Sequence, residues 1–151
     1  MKFSTRTLYG LRAILVLAGR FGEGSLSASQ IARQEGISVA YLEQILNALK
    51  RKGQVKSVRG PQGGYVLAKK PSDTTLENLF CALEGKALIE PGKGAPIPKE
   101  ADEVGIADFI FWRKILAAIQ RELSAMTLKE LLDEAHKIRK AKAGSSYTFH
   151  I

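Results

Sequence analysis

Arg59 sits at the shoulder of a glycine-rich turn, Gly60-Pro61-Gln62-Gly63-Gly64, with short apolar tracts at Val55 to Arg59 and Gly64 to Leu67 on either side. Two strands joined by such a turn predict a small hairpin. An arginine held on a rigid hairpin is drawn to the negative potential of a narrow minor groove. Gly60 and Gly63, together with Gly64, are expected to admit a phosphate backbone close to the main chain. A nucleotide-binding loop is the competing reading, but no Gly-Lys-Ser/Thr ending follows, so the phosphate-cradling signature is missing.

Side chains that usually carry covalent or metal chemistry are sparse. One cysteine, Cys81, and two histidines, His136 and His150, are widely separated and form no cluster of metal or triad type with carboxylates. No enzyme chemistry and no metal site are therefore expected. A single cysteine excludes an intramolecular disulfide. Cys81 is expected to be a small buried side chain, and His136 an ordinary surface or packing residue.

The hairpin needs elements that aim it, and the residues before it supply them. Leu8, Leu11, Leu15 and Ala18 recur at helical spacing after Ser4, which predicts a first helix from Thr5 to Phe21. Ser27-Ala28-Ser29-Gln30 fits a capping box that starts a short second helix, ending near Glu35 before Gly36. Ser38 caps a third helix with Leu42, Ile45, Leu46 and Leu49 on one buried stripe and Ala40, Gln44, Asn47 and Arg51 opposite. This is a helix-turn-helix followed by a wing. In that arrangement the third helix presents its outer face to the major groove, with base contacts expected from Ser38, Ala40, Tyr41 and Gln44 and phosphate contacts from Lys50 and Arg51. Lys2 and Thr5 complete the candidate DNA-contacting set.

A fourth helix is expected from Leu76 to Leu83, then a loop rich in Gly, Pro, Lys and Glu at 85–103. In the long helix that follows, Phe109, Trp112, Leu116, Ile119 and Leu123 alternate steps of four and three, as in a heptad seam that pairs two copies of a chain. Thr127-Leu128-Lys129-Glu130 predicts a last amphipathic helix that dissolves at 138–142, leaving a tail at 144–151. The expected fold is mainly α with a small β wing. It comprises a winged helix-turn-helix domain at 1–84, the loop, dimerisation helices at 104–143 and the tail.

Charge agrees with a polyanionic partner. Residues 1–70 hold 12 Lys+Arg against 3 Asp+Glu, whereas residues 71–151 hold 11 against 12, so the whole excess of +8 lies in the half with the helix-turn-helix. Clustered Lys and Arg gain free energy by displacing counterions from DNA. No segment reaches the roughly 18 apolar residues of a membrane span, and the first residues lead into no signal-peptide pattern; a cytoplasmic location is expected.

Spaced blocks then match a known family. Ser4-Thr5-Arg6 with Tyr9-Gly10-Leu11, Gly36-Ile37-Ser38 through Tyr41-Leu42-Glu43-Gln44, and Val58-Arg59-Gly60 through Gly63-Gly64-Tyr65 resemble the Rrf2 family of bacterial winged-helix regulators. Trp112-Arg113 and Thr127-Leu128-Lys129-Glu130-Leu131 extend the resemblance over most of the chain. It implies a homodimer on a near-palindromic double-stranded operator, with DNA contacts at Tyr41, Glu43, Gln44 and Arg59. Many members carry an iron–sulphur cluster on three cysteines before the long helix. This chain has none there, so no cofactor is expected and the resemblance is to the cysteine-poor branch that represses cysteine metabolism. In that branch the chain end resembles the end of serine acetyltransferase, which docks in cysteine synthase. Tyr147-Thr148-Phe149-His150-Ile151 is similar, which makes Tyr147, Phe149, His150 and Ile151 the candidate partner-binding residues. A free carboxylate beside an apolar side chain is a form that a pocket of backbone donors captures. Two other readings remain: a redox or metal sensor using Cys81 or ligands shared across a dimer, and an interaction subunit acting mainly on an enzyme.

Overall fold

Ser4, Ser27 and Ser38 each precede a helical run, and their hydroxyls accept hydrogen bonds from the main-chain N–H of Thr7 (3.2 Å), Gln30 (3.1 Å) and Tyr41 (3.2 Å). They start α1 (Thr5–Gly19), α2 (Ala28–Glu35) and α3 (Val39–Arg51). In α2 the Gln30 side chain accepts in return from the Ser27 N–H at 2.8 Å, completing the expected capping box. Gly36, left-handed at φ 66°, closes α2 and makes the short turn into α3. The computed structural model describes residues 3–85, 97 and 102–146. Lys2, most of the loop expected at 85–103, and Tyr147, Phe149, His150 and Ile151 lie outside the described residues.

α1 ends two residues earlier than expected and buries a different face. Gly10, Ala13, Ile14, Leu17 and Ala18 point inward, whereas Leu8 is exposed and Leu11 and Leu15 lie at the margin. The cause is the crossing with α4 (Leu76–Glu84): a Cβ on Gly10 would sit 2.5 Å from a Leu83 δ-carbon, so the helix turns its smallest residue to the tightest contact. Leucine spacing alone does not carry that information.

The wing is β1 (Val55–Val58) and β2 (Gly64–Leu67), antiparallel, with Val55 opposite Leu67 and Val58 opposite Gly64. Arg59 therefore lies just beyond β1 rather than within it. A third edge was not anticipated: Leu26 N–H donates to the Tyr65 carbonyl at 3.1 Å, and Tyr65 N–H donates to the Leu26 carbonyl at 2.7 Å. The segment before α2 thus pins the wing to the helical body.

A 3-10 turn at Pro71–Asp73 leads into α4, capped by Thr75. Asp102 caps α5 (Glu103–Ala125), and the predicted Thr127–Glu130 box starts α6 (Leu128–Ser146), with Thr127 N–H donating to Glu130 at 2.8 Å. α6 does not dissolve at 138–142. It runs through Gly144 to Ser146 with every side chain from Asp133 to Gly144 exposed, sustained by strong helix formers such as Ala135, Lys137, Arg139, Lys140, Ala141 and Lys142.

Ile14, Ile31, Leu42, Ile45, Leu46, Leu49 and Leu79 form the core, and Leu128 from α6 joins them fully buried. Two main-chain bonds hold the α5–α6 junction against the domain, Leu76 N–H to the Met126 carbonyl (2.9 Å) and Leu128 N–H to the Thr74 carbonyl (3.0 Å).

Glu84, at the end of α4, closes the other side. Its carboxylate accepts from the Ser4 N–H at 2.9 Å, from the Ser4 hydroxyl at 2.5 Å and from the buried Thr7 hydroxyl. The Ser4 and Thr7 hydroxyl donors hold its pKa below the usual glutamate value of 4.5. A depressed carboxylate contributes stability above its unfolded pKa and loses it as pH falls through the folded value. The stability gap between wild type and Glu84→Gln is therefore expected to be full at neutral pH and to shrink below pH 4.5, read from urea unfolding at both ends of that range. A gap unchanged by acid would contradict this assignment.

Candidate nucleic-acid interface

On α3 the inward stripe Leu42, Ile45, Leu46 and Leu49 is fully buried, which fixes the rotation of the helix and leaves Ala40, Glu43, Gln44, Asn47, Lys50 and Arg51 exposed along the other side. Ser38 is exposed but its hydroxyl is engaged as the helix cap. Tyr41 is half-buried, with its ring edge-to-face on Tyr9 of α1 at 6.1 Å. Its ring is a packing element that seats α1 against the start of α3. Thr5 is exposed one turn before Tyr9, so the first turn of α1 approaches the same end of α3.

Arg59 is exposed at the wing tip. The turn is closed by Gly63 N–H donating to the Gly60 carbonyl at 2.9 Å, and Ser25 Oγ donates to the Gln62 carbonyl at 2.6 Å. The arginine therefore rides on a hairpin braced at Leu26–Tyr65 and at Ser25–Gln62. Ser25 and Leu26 escaped sequence reading because their partners lie about 40 residues away.

Two of the wing glycines are also required by the fold itself. A Cβ on Gly63 would fall 2.5 Å from the Val58 carbonyl oxygen, and one on Gly64 would fall 2.2 Å from the Leu26 carbonyl oxygen. At both positions the protein's own backbone leaves no room for a side chain. Gly60 differs: open space surrounds it, and its φ of +116° is what favours glycine there.

α5 buries none of its residues within the chain. Gln120 and Ser124 donate to Glu77 of α4 at 3.1 and 2.6 Å, and Leu123 packs on the domain's own core. The expected seam therefore divides. Phe109, Leu116 and Ile119 are half-buried, Trp112 is 52% exposed, and Val104, Phe111 and Ile115, at spacings of seven and four, are 75, 54 and 39% exposed on one uncovered apolar face. The docking of α4 selects which side of α5 is left open.

Cys81 is half-buried on α4 and His136 is exposed on α6. Among the described residues no group of three His, Cys, Asp or Glu is placed to hold a metal ion, and no helix is long and apolar enough to cross a membrane.

A capped helix-turn-helix whose second helix shows a polar and basic face, followed by a braced wing with an arginine at its tip, defines a winged-helix DNA-binding transcriptional regulator. The family model described as "Rrf2: Iron-dependent Transcriptional regulator" matches residues 3–134, and the chain belongs to the Rrf2 family. It is 37% identical over 131 residues to the HTH-type transcriptional regulator CymR of Bacillus subtilis, covering 87% of this chain and 89% of that protein. The solved structure of CymR, described as the global cysteine regulator of B. subtilis, superposes with a TM-score of 0.75 at 33% identity, over 89% of this chain and 98% of that one. T. potens IscR superposes with a TM-score of 0.74 at 37% identity, over 89% of this chain and 88% of that one. The family description and the name of CymR are those of transcriptional regulators, and this chain is a regulator of that family. The iron dependence in the family description meets a poor donor set here: one cysteine in the whole sequence and none at 85–103 do not fit a three-cysteine cluster.

Proposed function

We propose that the protein is a cytoplasmic homodimeric repressor of cysteine or sulphur metabolism genes, binding a near-palindromic operator through α3 and the wing. The observation that carries the reading is the exposed polar and basic stripe of α3 beside an arginine-tipped wing held at two points. Likeness to CymR, described as a global cysteine regulator, supports the choice of pathway. The signal is a cysteine synthase-type enzyme that captures Tyr147, Phe149, His150 and Ile151, rather than an iron–sulphur cluster; the single cysteine supports that choice. An iron-sensing mode, using Cys81 or ligands shared across a dimer, is the second reading, favoured by the family description.

The test uses full-length protein and duplexes enriched from a random pool. Arg59→Ala is expected to weaken binding about tenfold and to lower the salt slope by about 1 per protomer. Unchanged affinity and slope would remove the wing from the interface. Deleting Phe149 to Ile151 is expected to abolish capture of the enzyme and leave DNA binding intact. Stoichiometric iron and a cluster spectrum after anaerobic purification would overturn the cluster-free reading.

A further inference from the structure

At the root of the wing, away from its tip, Lys50 of α3, Lys56 and Ser57 of β1 and Lys69 just after β2 line one open hollow of about 580 Å³. All three ammonium groups are on exposed side chains, and no ion pair among the described residues includes any of them. Between residues 36 and 73 the chain holds seven Lys+Arg but only Glu43 and Asp73 as acids, so the stretch keeps a net positive charge. Three like charges around one concavity repel one another, and a polyanion relieves that repulsion while releasing its own counterions.

We propose that Lys50, Lys56 and Lys69 form a second backbone-contacting point on duplex DNA, at the wing root, in addition to the contact made by Arg59 at the tip. The inference rests on the DNA-binding reading above. Lys50 ends the exposed row Glu43, Asn47, Lys50 on α3, so the hollow continues the surface that faces DNA. Lys56 and Arg59 are three strand residues apart, about 10 Å, too far to share one phosphate. Lysine, a compact hydrated point charge without a planar fork, suits phosphate neutralisation rather than base readout.

The probe is a mixed-sequence duplex of about 40 base pairs, titrated with the full-length protein between about 50 and 200 mM NaCl. The double variant K56Q/K69Q is expected to lower the slope of log affinity against log salt by about 2 per bound protomer. The double variant K137Q/K140Q removes the same charge from the exposed face of α6 and is expected to leave the slope unchanged, with both variants unfolding at the wild-type urea midpoint. An unaltered slope in K56Q/K69Q, or equal losses in the two variants, would overturn the proposal. If wild type itself shows no salt-dependent binding, the DNA-binding reading fails and this inference falls with it.

Discussion

Gly64→Ala is expected to destabilise the fold by about 3 kcal/mol and to reduce DNA affinity more than tenfold. The added methyl would stand 2.2 Å from the Leu26 carbonyl oxygen, 2.4 Å from its carbonyl carbon and 2.7 Å from the Ser27 nitrogen. All three are main-chain atoms, so no side chain can rotate away. Relief requires the Leu26–Tyr65 bridge to open, which releases two hydrogen bonds and frees the wing from the body that aims it. Set against a typical stability of about 5–15 kcal/mol, the loss is large for one methyl group. Gly60→Ala is the informative comparison, since its neighbourhood is empty and only its φ of +116° resists a side chain; about 1 kcal/mol is expected. Urea unfolding and fluorescence anisotropy on one duplex measure both effects. Equal, small costs for the two variants would show that the wing is not held as described.

Placing glutamates at Phe111 and Ile115 together is expected to weaken self-association more than 100-fold, because in a two-fold dimer each substitution enters the interface twice and large apolar anchors carry most of the binding energy. Both side chains are solvent-facing within one chain, at 54 and 39% exposure, so the monomer fold loses little. Sedimentation at micromolar concentration is expected to show a dimer for wild type and a monomer for F111E/I115E, with affinity for a palindromic operator falling in parallel. A monomeric wild type, or a variant that remains dimeric, would show that this uncovered face does not join two copies. A control at Leu123 would report differently, since that residue packs on the chain's own core and its loss destabilises the fold first.

Much of the local architecture is legible from spacing and caps. Ser4, Ser27, Ser38 and Thr127 each start the helix that their position predicts, because a cap and its N–H donor lie within three residues of each other. The buried row on α3 follows from its periodicity for the same reason. The wing's position and its exposed Arg59 were likewise readable.

The amino-acid sequence by itself determined the element order, the helix starts, the charged half of the molecule and the family, all properties of residues near one another along the chain. Only the tertiary structure decided which face α1 buries, why Gly63 and Gly64 must be small, that Leu26 forms a third edge to the wing, that α6 continues to Ser146, and which side of α5 stays uncovered. Apart from the length of α6 and the smallness of Gly63, which Val58 sets from within the same hairpin, each of these depends on contacts between segments tens of residues apart, where packing against Leu83, Leu26 or Glu77 outweighs local pattern. The lysine hollow at the wing root belongs with them: Lys50, Lys56 and Lys69 are ordinary basic residues in sequence, and folding alone brings them around one space.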